Sequence, residues 1–111
     1  YKLEREHLLN DADFARQWVE ARSGRKMGRS RIAQELRRKG IDADEAEEAL
    51  SAIGEDAQLA DAIALAEKAA ARAKSDENPR KTYQRIAAML ARRGFRWDIT
   101  KEALAQVLQA D

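Results

Sequence analysis

The side chains that could carry chemistry fall into three groups: one histidine, a basic segment flanked by glycines, and an acidic segment that follows it. His7 stands beside Leu8 and Leu9 without a second metal-ligating or nucleophilic residue at a suitable spacing. A single imidazole cannot build a metal site, so we expect a structural or solvent-exposed histidine. The 111 residues include no cysteine, which excludes disulfides, thiolate nucleophiles and cysteine-held metal sites.

Two further patterns resemble reaction sites only superficially. Residues 24–30 have glycines around basic residues, as phosphate-binding loops do, but one residue too few separates the glycines and no strand precedes them. Within residues 42–48, Asp44 and Glu48 would share a helical face, yet acidic residues near a helix start are also favoured by the helix dipole. We therefore predict that the protein is not an enzyme and has no catalytic residue, cofactor or metal ion.

Charge is strongly segregated along the chain. Residues 22–39 hold eight basic side chains and one acidic one, whereas residues 42–61 hold eight acidic side chains and no basic one. The totals of 21 Lys and Arg against 20 Asp and Glu give a formal net charge of only +1. The near-neutral total therefore hides a basic surface of the kind that meets phosphates or an acidic protein.

Helices must position these groups. Five glycines and one proline in 111 residues are too few for a protein of many short strands. Apolar residues recur at helical spacing and predict a helix over 11–22, a second after a loop at 23–28, and a third that ends before Gly54. The three apolar stripes are Phe14, Ala15, Trp18 and Val19, then Ile32, Ala33 and Leu36, then Ala46, Ala49, Leu50 and Ile53.

The second half of the chain repeats this plan at a shift of 54 residues. Over positions 31–53 the shift gives ten identities, among them Gly40 with Gly94 and Asp44 with Asp98. The first helix of the second half aligns instead at a shift of 47, so we expect that helix to be longer. Such internal similarity predicts stacked units that are each too small to bury their apolar face alone.

The predicted fold is all-α, with tandem three-helix repeats forming an elongated, slightly curved helical array that has no deep pocket. Residues 11–54 are one three-helix repeat, and residues 55–111 are a second repeat with a longer first helix. Residues 1–10 are predicted to be the tail of a preceding helix or of a first repeat. Because the chain does not begin with Met, we expect it to start partway through such an array.

Two aspartates compete for the N-cap of the third helix. Asp42 has Glu45 three residues later and Asp44 has Glu47, so either pair fits a capping motif. Only Asp44 is repeated in the second half, as Asp98. We therefore predict that Asp44 is the N-cap.

Two runs of this sequence resemble consecutive repeats of a known family. The first run comprises Asp13-Phe14-Ala15, Trp18-Val19, Arg22, Gly28, Arg31-Ile32, Glu35-Leu36 and Lys39-Gly40-Ile41. The second run comprises Arg85-Ile86, Met89-Leu90, Arg93-Gly94-Phe95 and Asp98-Ile99. In order and spacing they are similar to the second and third repeats of the RecX family, bacterial regulatory proteins that modulate the RecA recombinase. The resemblance covers the chain from about residue 8 onward.

The resemblance implies a function. RecX-like proteins have three three-helix repeats, bind in the groove of the RecA–single-stranded-DNA filament, and restrain strand exchange, ATP hydrolysis and co-cleavage of LexA. It implies a cytoplasmic, monomeric regulator that acts in DNA repair, homologous recombination and the SOS response. Two other functions stay open: a non-specific DNA-binding helical module acting without RecA, and a helical scaffold with no nucleic-acid partner. No apolar run is long enough to span a membrane, so no membrane partner is expected.

The predicted binding surface is the basic segment together with its counterpart in the second repeat. The third helix begins with four carboxylates and is a poor reader of DNA, because carboxylates repel phosphates. Trp97 aligns with Ala43, so the repeat requires no aromatic there, and its ring either folds back on the core or anchors a partner. The residues predicted to contact RecA, single-stranded DNA or double-stranded DNA are Arg22, Arg25, Lys26, Arg29, Arg31, Arg37, Arg38, Lys39, Arg92, Arg93, Arg96 and Trp97.

Overall fold

The computed structural model describes residues 11–109, which form six α-helices and no strand. The first unit contains α1 (Asp11–Ser23), α2 (Arg29–Arg38) and α3 (Ala43–Leu50), and the second contains α4 (Glu55–Ala71), α5 (Pro79–Arg92) and α6 (Trp97–Leu108). These helices confirm the all-α fold of tandem three-helix repeats. The expectations for residues 1–10, including His7, lie outside the described residues.

The molecule is elongated, with extents of 55 × 25 × 18 Å. Its radius of gyration is 16.4 Å. A compact domain of this length would have a radius of gyration of about 13 Å. The two units are therefore arranged end to end along the long axis.

A glycine ends the second helix of each unit, as the repeat predicts. Gly40 and Gly94 have φ values of +84° and +100°, a left-handed conformation that favours glycine. The next backbone N–H then reaches back five residues, from Ile41 to the Leu36 carbonyl at 3.0 Å in the first unit. Ile41 is buried directly after this turn, so the cap also directs the chain into the core.

The predicted N-cap of α3 is wrong by two residues. Asp42 is the N-cap, and its carboxylate accepts a hydrogen bond from the Asp44 N–H at 3.2 Å. The equivalent cap of α6 is Arg96, which makes no side-chain cap hydrogen bond. Asp44 and Asp98 are both second residues of their helices, where a negative charge favours the helix dipole. The aspartate that repeats therefore provides a negative charge in the first turn of each helix. The residue at the N-cap differs between the two units.

Each unit has its own buried apolar cluster. The buried cluster of the first unit is Ala15, Val19, Ile32, Leu36, Ile41, Ala46, Ala49, Leu50 and Ile53. The cluster of the second unit is Ala62, Ala66, Ile86, Leu90, Phe95, Ile99, Ala103 and Leu104. The alanines let three short helices approach closely, and the apolar residue after each glycine cap closes the cluster. The buried apolar residues therefore form two separate clusters, one in each unit.

The two units meet at a polar junction between the start of α2 and the end of α5. The Gly28 N–H donates to the Arg93 carbonyl at 2.8 Å, and the Ser30 N–H donates to the Gly94 carbonyl at 3.2 Å. Helix starts have unpaired N–H groups and helix ends have unpaired carbonyls, so each helix end supplies the partners that the other lacks. The positive end of the α2 dipole also meets the negative end of the α5 dipole.

Arginine side chains reinforce this junction in both directions. Arg31 Nη1 donates to the Arg92 carbonyl at 3.0 Å. Arg93 Nε donates to the Lys26 carbonyl at 3.2 Å, and its Nη2 donates to the Arg25 carbonyl. The side chains of each unit therefore hold the backbone of the other.

Gly94→Ala is expected to destabilise the protein much more than Gly40→Ala. At either position a Cβ in the left-handed region costs about 1–2 kcal/mol. A Cβ on Gly94 would also lie 2.4 Å from the Arg31 Cβ, whereas a Cβ on Gly40 meets nothing within 4 Å. Forcing the junction apart adds roughly 1–3 kcal/mol. Urea unfolding followed by circular dichroism measures both variants, and equal losses of unfolding free energy would contradict the junction's role.

Candidate polyanion-binding surface

The junction brings together five of the predicted binding residues: Arg25, Lys26, Arg31, Arg92 and Arg93. Arg25 and Lys26 lie in the turn before α2, and Lys26 adopts a left-handed conformation with φ +59°. Arg31 and Arg93 donate to carbonyl oxygens, which are neutral, so these hydrogen bonds orient the guanidinium groups without cancelling their charge. The result is a dense positive cluster on fixed backbone.

A groove of about 620 Å³ opens beside the junction, between Arg31 and helices α4 and α5. Its cationic lining is Arg31, Lys68, Arg72, Arg85, Arg92 and Arg93. Its apolar lining is Leu65, Ala69, Ile86 and Met89. Among the described residues no carboxylate lines this groove, so it is a concave and uniformly positive surface.

Helix α4 contributes cationic residues to this surface that were not among the predicted binding residues. Lys68 and Arg72 are four residues apart, and they follow Leu65 and Ala69 at helical spacing. Leu65, Lys68 and Ala69 therefore lie on the face of α4 that turns toward α5, and Arg72, the C-cap residue of α4, continues this face. The spacing was a usable signal, but it lies outside both the basic segment and the part of the chain that repeats at a shift of 54 residues.

Two of the predicted binding residues enclose Trp18. The cationic groups of Arg22 and Lys39 each lie 4.4 Å from the Trp18 ring centroid, within the range of a cation–π contact. Trp18 Nε1 donates to Glu35 Oε1 at 2.8 Å, and the same oxygen lies 3.2 Å from Arg22 Nε. Arg22 and Lys39 thus stabilise the first unit.

Two other predicted residues form ion pairs. Arg29 Nη2 lies 3.5 Å from a Glu47 carboxylate oxygen. Arg96 Nη2 lies 3.0 Å from Asp98 and 3.2 Å from Glu55, and these carboxylates, Asp98 foremost, raise the pKa of Arg96. Both arginines are thus partly neutralised by carboxylates within the chain.

Trp97 is the first residue of α6. Its side chain is exposed, at 58% of its accessible surface. Of the two roles considered for this ring, the structure does not show folding back on the core. Trp97 is therefore free to contact a partner.

Arg37 and Arg38 are exposed at the end of α2. In the part of the chain that the structure describes, no carboxylate pairs with either side chain or with Arg25. These three arginines therefore keep their full charge toward solvent and toward a partner.

No other kind of site is seen in the described part of the chain. Within residues 11–109, no cluster of three or more His, Cys, Asp or Glu side chains is placed to hold a metal ion. Among the described helices, none has the length and apolar character needed to cross a membrane.

Two carboxyl groups near the junction and the groove have shifted pKa values. Hydrogen bonds from Arg85 and then Thr82 lower the pKa of Glu77, whose carboxylate lies 3.0 Å from Arg85 Nη2. Burial raises the pKa of Asp61, and the positive charge of Lys26 partly offsets this effect. Lys26 and Asp61 belong to different units, so this electrostatic attraction acts across the junction.

Two domain profiles of the RecX family match this chain. The profile "RecX, second three-helix domain" matches residues 10–50, and "RecX, third three-helix domain" matches residues 56–104. The two matches are consecutive and occur in the order that the sequence predicted.

Individual relatives agree with these profiles. The Regulatory protein RecX of Mycobacteroides abscessus is 40% identical over 105 residues, covering 88% of this chain and 50% of that protein. Its counterpart in Clostridioides difficile is 36% identical over 106 residues, covering 95% of this chain and 50% of that protein. The chain thus spans about half the length of these relatives. The crystal structure of RecX from Lactobacillus salivarius superposes with a TM-score of 0.83 at 30% identity, covering 98% of this chain and 71% of that one.

Glu77→Gln is expected to lower stability at neutral pH and to have no effect in strong acid. Arg85 holds the pKa of Glu77 below its ordinary value of 4.5 in the folded state, while the unfolded chain keeps the ordinary value. The stabilisation is therefore fully present above about pH 4.5 and is lost as the pH falls through the lower folded-state pKa. Urea unfolding of parent and variant from pH 7 downward tests this expectation. A stability difference that does not change with pH would refute it.

Proposed function

The chain belongs to the RecX family, and on this basis we propose that it is a regulator that binds the RecA–single-stranded-DNA filament and mainly inhibits it. The restrained activities are the recombinase, ATPase and co-protease activities of the filament. In this proposal the chain works as a monomer in the cytoplasm, in DNA repair, homologous recombination and the SOS response. It acts by binding and catalyses no reaction.

The observation that carries this proposal is the concentration of positive charge at the junction of the two units, which forms no ion pair with a carboxylate among the described residues apart from the attraction of Lys26 to Asp61. Arg25, Lys26, Arg92 and Arg93 come from both units and lie within a few residues of the backbone contacts at Gly28. A nucleoprotein filament presents DNA phosphates and acidic protein surface, both of which attract such a cluster. A rigid binder also loses less conformational entropy when it docks.

The acidic helix α3 supports a one-sided mode of binding. Asp44, Glu47 and Glu48 are exposed on this helix, and phosphates would repel them. A polyanionic filament therefore favours orientations in which the junction faces it and α3 faces away. This charge asymmetry also accounts for a binding surface on a chain of net charge +1.

A second candidate is a DNA-binding helical module that acts without RecA. The groove beside the junction favours it, because its described lining is cationic and apolar without carboxylates. Binding by phosphate neutralisation alone would weaken steeply with salt and would not require RecA. Pull-down of RecA with and without DNA and a non-hydrolysable nucleotide separates the two candidates.

The triple variant Arg25→Glu, Arg37→Glu and Arg38→Glu is expected to inhibit RecA-driven ATP hydrolysis on single-stranded DNA at least about tenfold less strongly. These arginines are exposed and have no carboxylate partner among the described residues, so charge reversal removes attraction without breaking an internal ion pair. The concentration of protein that halves the ATPase rate is the measurement.

A matched control carries the same change in net charge at exposed positions that do not line the groove, namely Arg16→Glu, Arg80→Glu and Lys101→Glu. We expect this control to inhibit nearly as well as the parent chain. An equal loss of inhibition in both triple variants would show that only the total charge of the chain matters and not its position. A parent chain that does not affect the filament at any concentration would refute the proposed function for this chain.

A further inference from the structure

Helix α2 has no side-chain cap of its own. Its N-cap residue is Gly28, which makes no side-chain cap hydrogen bond. Helices usually begin after Ser, Thr, Asp or Asn, whose side chains accept a hydrogen bond from the first turn. No such residue fits at this position, because a Cβ on Gly28 would overlap the Gly94 carbonyl group of the other unit. The close approach of the units therefore excludes the residue types that would cap α2 locally.

Gln58 supplies the missing cap from the second unit. It is the fourth residue of α4, and its Oε1 accepts a hydrogen bond from the backbone N–H of Arg29 at 3.1 Å. Arg29 is the first residue of α2, so this is the hydrogen bond that a local cap residue would otherwise accept in the first turn. The side chain of Gln58 is buried, with 4% of its residue surface exposed. Because water does not compete for a buried hydrogen bond, this contact is stronger than an exposed one.

The other contacts across the junction meet at one place, the end of α5. The Arg93 and Gly94 carbonyls accept from the start of α2, and the Arg31 and Arg93 side chains donate nearby. All the extensive helix–helix contacts among the described helices lie within one unit or the other. Contacts gathered at one helix end hold that end in place but act as a pivot, since they do not oppose rotation about it.

Gln58 acts from a different helix and therefore opposes this rotation. Its bond ties α4 to α2, whereas the backbone bonds tie α5 to α2. The attraction between Lys26 and Asp61 also reaches α4, but a charge–charge attraction is not directional. A hydrogen bond weakens steeply when its angle departs from linearity, so the Gln58 contact selects one orientation of the two units.

Building on the proposed function, we propose that Gln58 is a positioning residue that fixes the orientation of the two units in which the chain binds its partner. Helix α2 has 10 residues and ends at the exposed Arg37 and Arg38. Such a helix is about 15 Å long, so a rotation of about 20° at its start moves its end by about 5 Å. A surface that spans both units matches an extended partner only when this displacement is prevented.

The test compares two changes at Gln58 with a cap removed elsewhere. Gln58→Met keeps an unbranched side chain of similar length and helix propensity but removes the acceptor. Gln58→Glu keeps the acceptor oxygen and is the conservative rescue. The control is Asn78→Ala, which removes a side-chain cap within the second unit, where Asn78 Oδ1 accepts from the Arg80 N–H at 2.8 Å.

The distance between the units is measured first, without RecA. The chain has no cysteine, so Ala43→Cys in the first unit and Ala88→Cys in the second, both exposed, place one spin label on each. Double electron–electron resonance is expected to give one narrow distribution for the parent chain, Gln58→Glu and Asn78→Ala. Gln58→Met is expected to shift or broaden it by roughly 5 Å. An unchanged distribution in Gln58→Met would overturn the proposal.

Arg29→Pro removes the same hydrogen bond from its other side. Proline has no N–H, and it is tolerated as the first residue of a helix. The extended conformation of Gly28, with φ −78° and ψ 156°, suits a residue that precedes proline. Arg29→Pro is expected to reproduce the distribution of Gln58→Met, and the double variant to change it no further. A second, additive change in the double variant would contradict the role of this bond. If Gln58→Met does not fold, Arg29→Pro decides the question.

Inhibition of RecA-driven ATP hydrolysis is measured next. Gln58→Met is expected to need at least about tenfold more protein, because apparent affinity falls with the fraction of chains in the competent orientation. Gln58→Glu and Asn78→Ala are expected to inhibit nearly as well as the parent chain. Urea unfolding gives the stability of each variant. An equal loss of inhibition in Gln58→Met and Asn78→Ala would mean that stability alone is responsible, and full inhibition by Gln58→Met despite a changed distance would refute the positioning role.

Failure of this inference is distinguishable from failure of the proposed function. If the parent chain does not inhibit the filament, the proposed function is wrong, and the distances still decide whether Gln58 fixes the orientation. If the parent chain inhibits and Gln58→Met matches it in distance and inhibition, only the inference about Gln58 is wrong.

Discussion

The backbone contact between the start of α2 and the end of α5 is the constraint on which the rest of the structure depends. It joins two units whose buried apolar clusters are separate from each other, so the contacts at the junction fix the relative position of the units. Two backbone hydrogen bonds at 2.8 and 3.2 Å hold the helix ends together, at a distance that only glycines at 28 and 94 allow. Such a contact is directional, whereas apolar packing alone tolerates sliding.

This constraint explains why basic residues accumulate at the junction. Carbonyl groups at a helix end or in a turn need donors, and Arg31 provides one at the Arg92 carbonyl while Arg93 provides two at the Lys26 and Arg25 carbonyls. The side chains that close the junction therefore also charge its surface. Arg31 and Arg93 thus serve both the structure of the junction and the proposed binding. Substitution of exposed arginines that make no internal ion pair therefore tests binding without lowering stability.

The sequence was sufficient for the local structure and insufficient for the contacts between units. Helical spacing and glycine caps predict the helices, because those signals act within a few residues. The cap of α3 was misplaced because the repeated Asp44 was taken for the cap, whereas the cap at Asp42 has an arginine as its counterpart. The predicted binding residues were chosen because their positive charges are close together in the sequence. Their spacing does not show that Arg29 pairs with Glu47, while Arg37 has no carboxylate partner among the described residues.

The groove arises where the second unit departs from the repeat. Lys39 and Arg93 are equivalent positions, yet Lys39 covers Trp18 while Arg93 holds the turn of the other unit. Helix α4 carries Lys68 toward the groove, and the shift of 47 residues pairs Lys68 with Ala21 of α1. A strict repetition of the first unit would therefore have alanine in place of this cation. The repeat therefore supplies two stable units, and the residues that break it supply the concave positive surface between them.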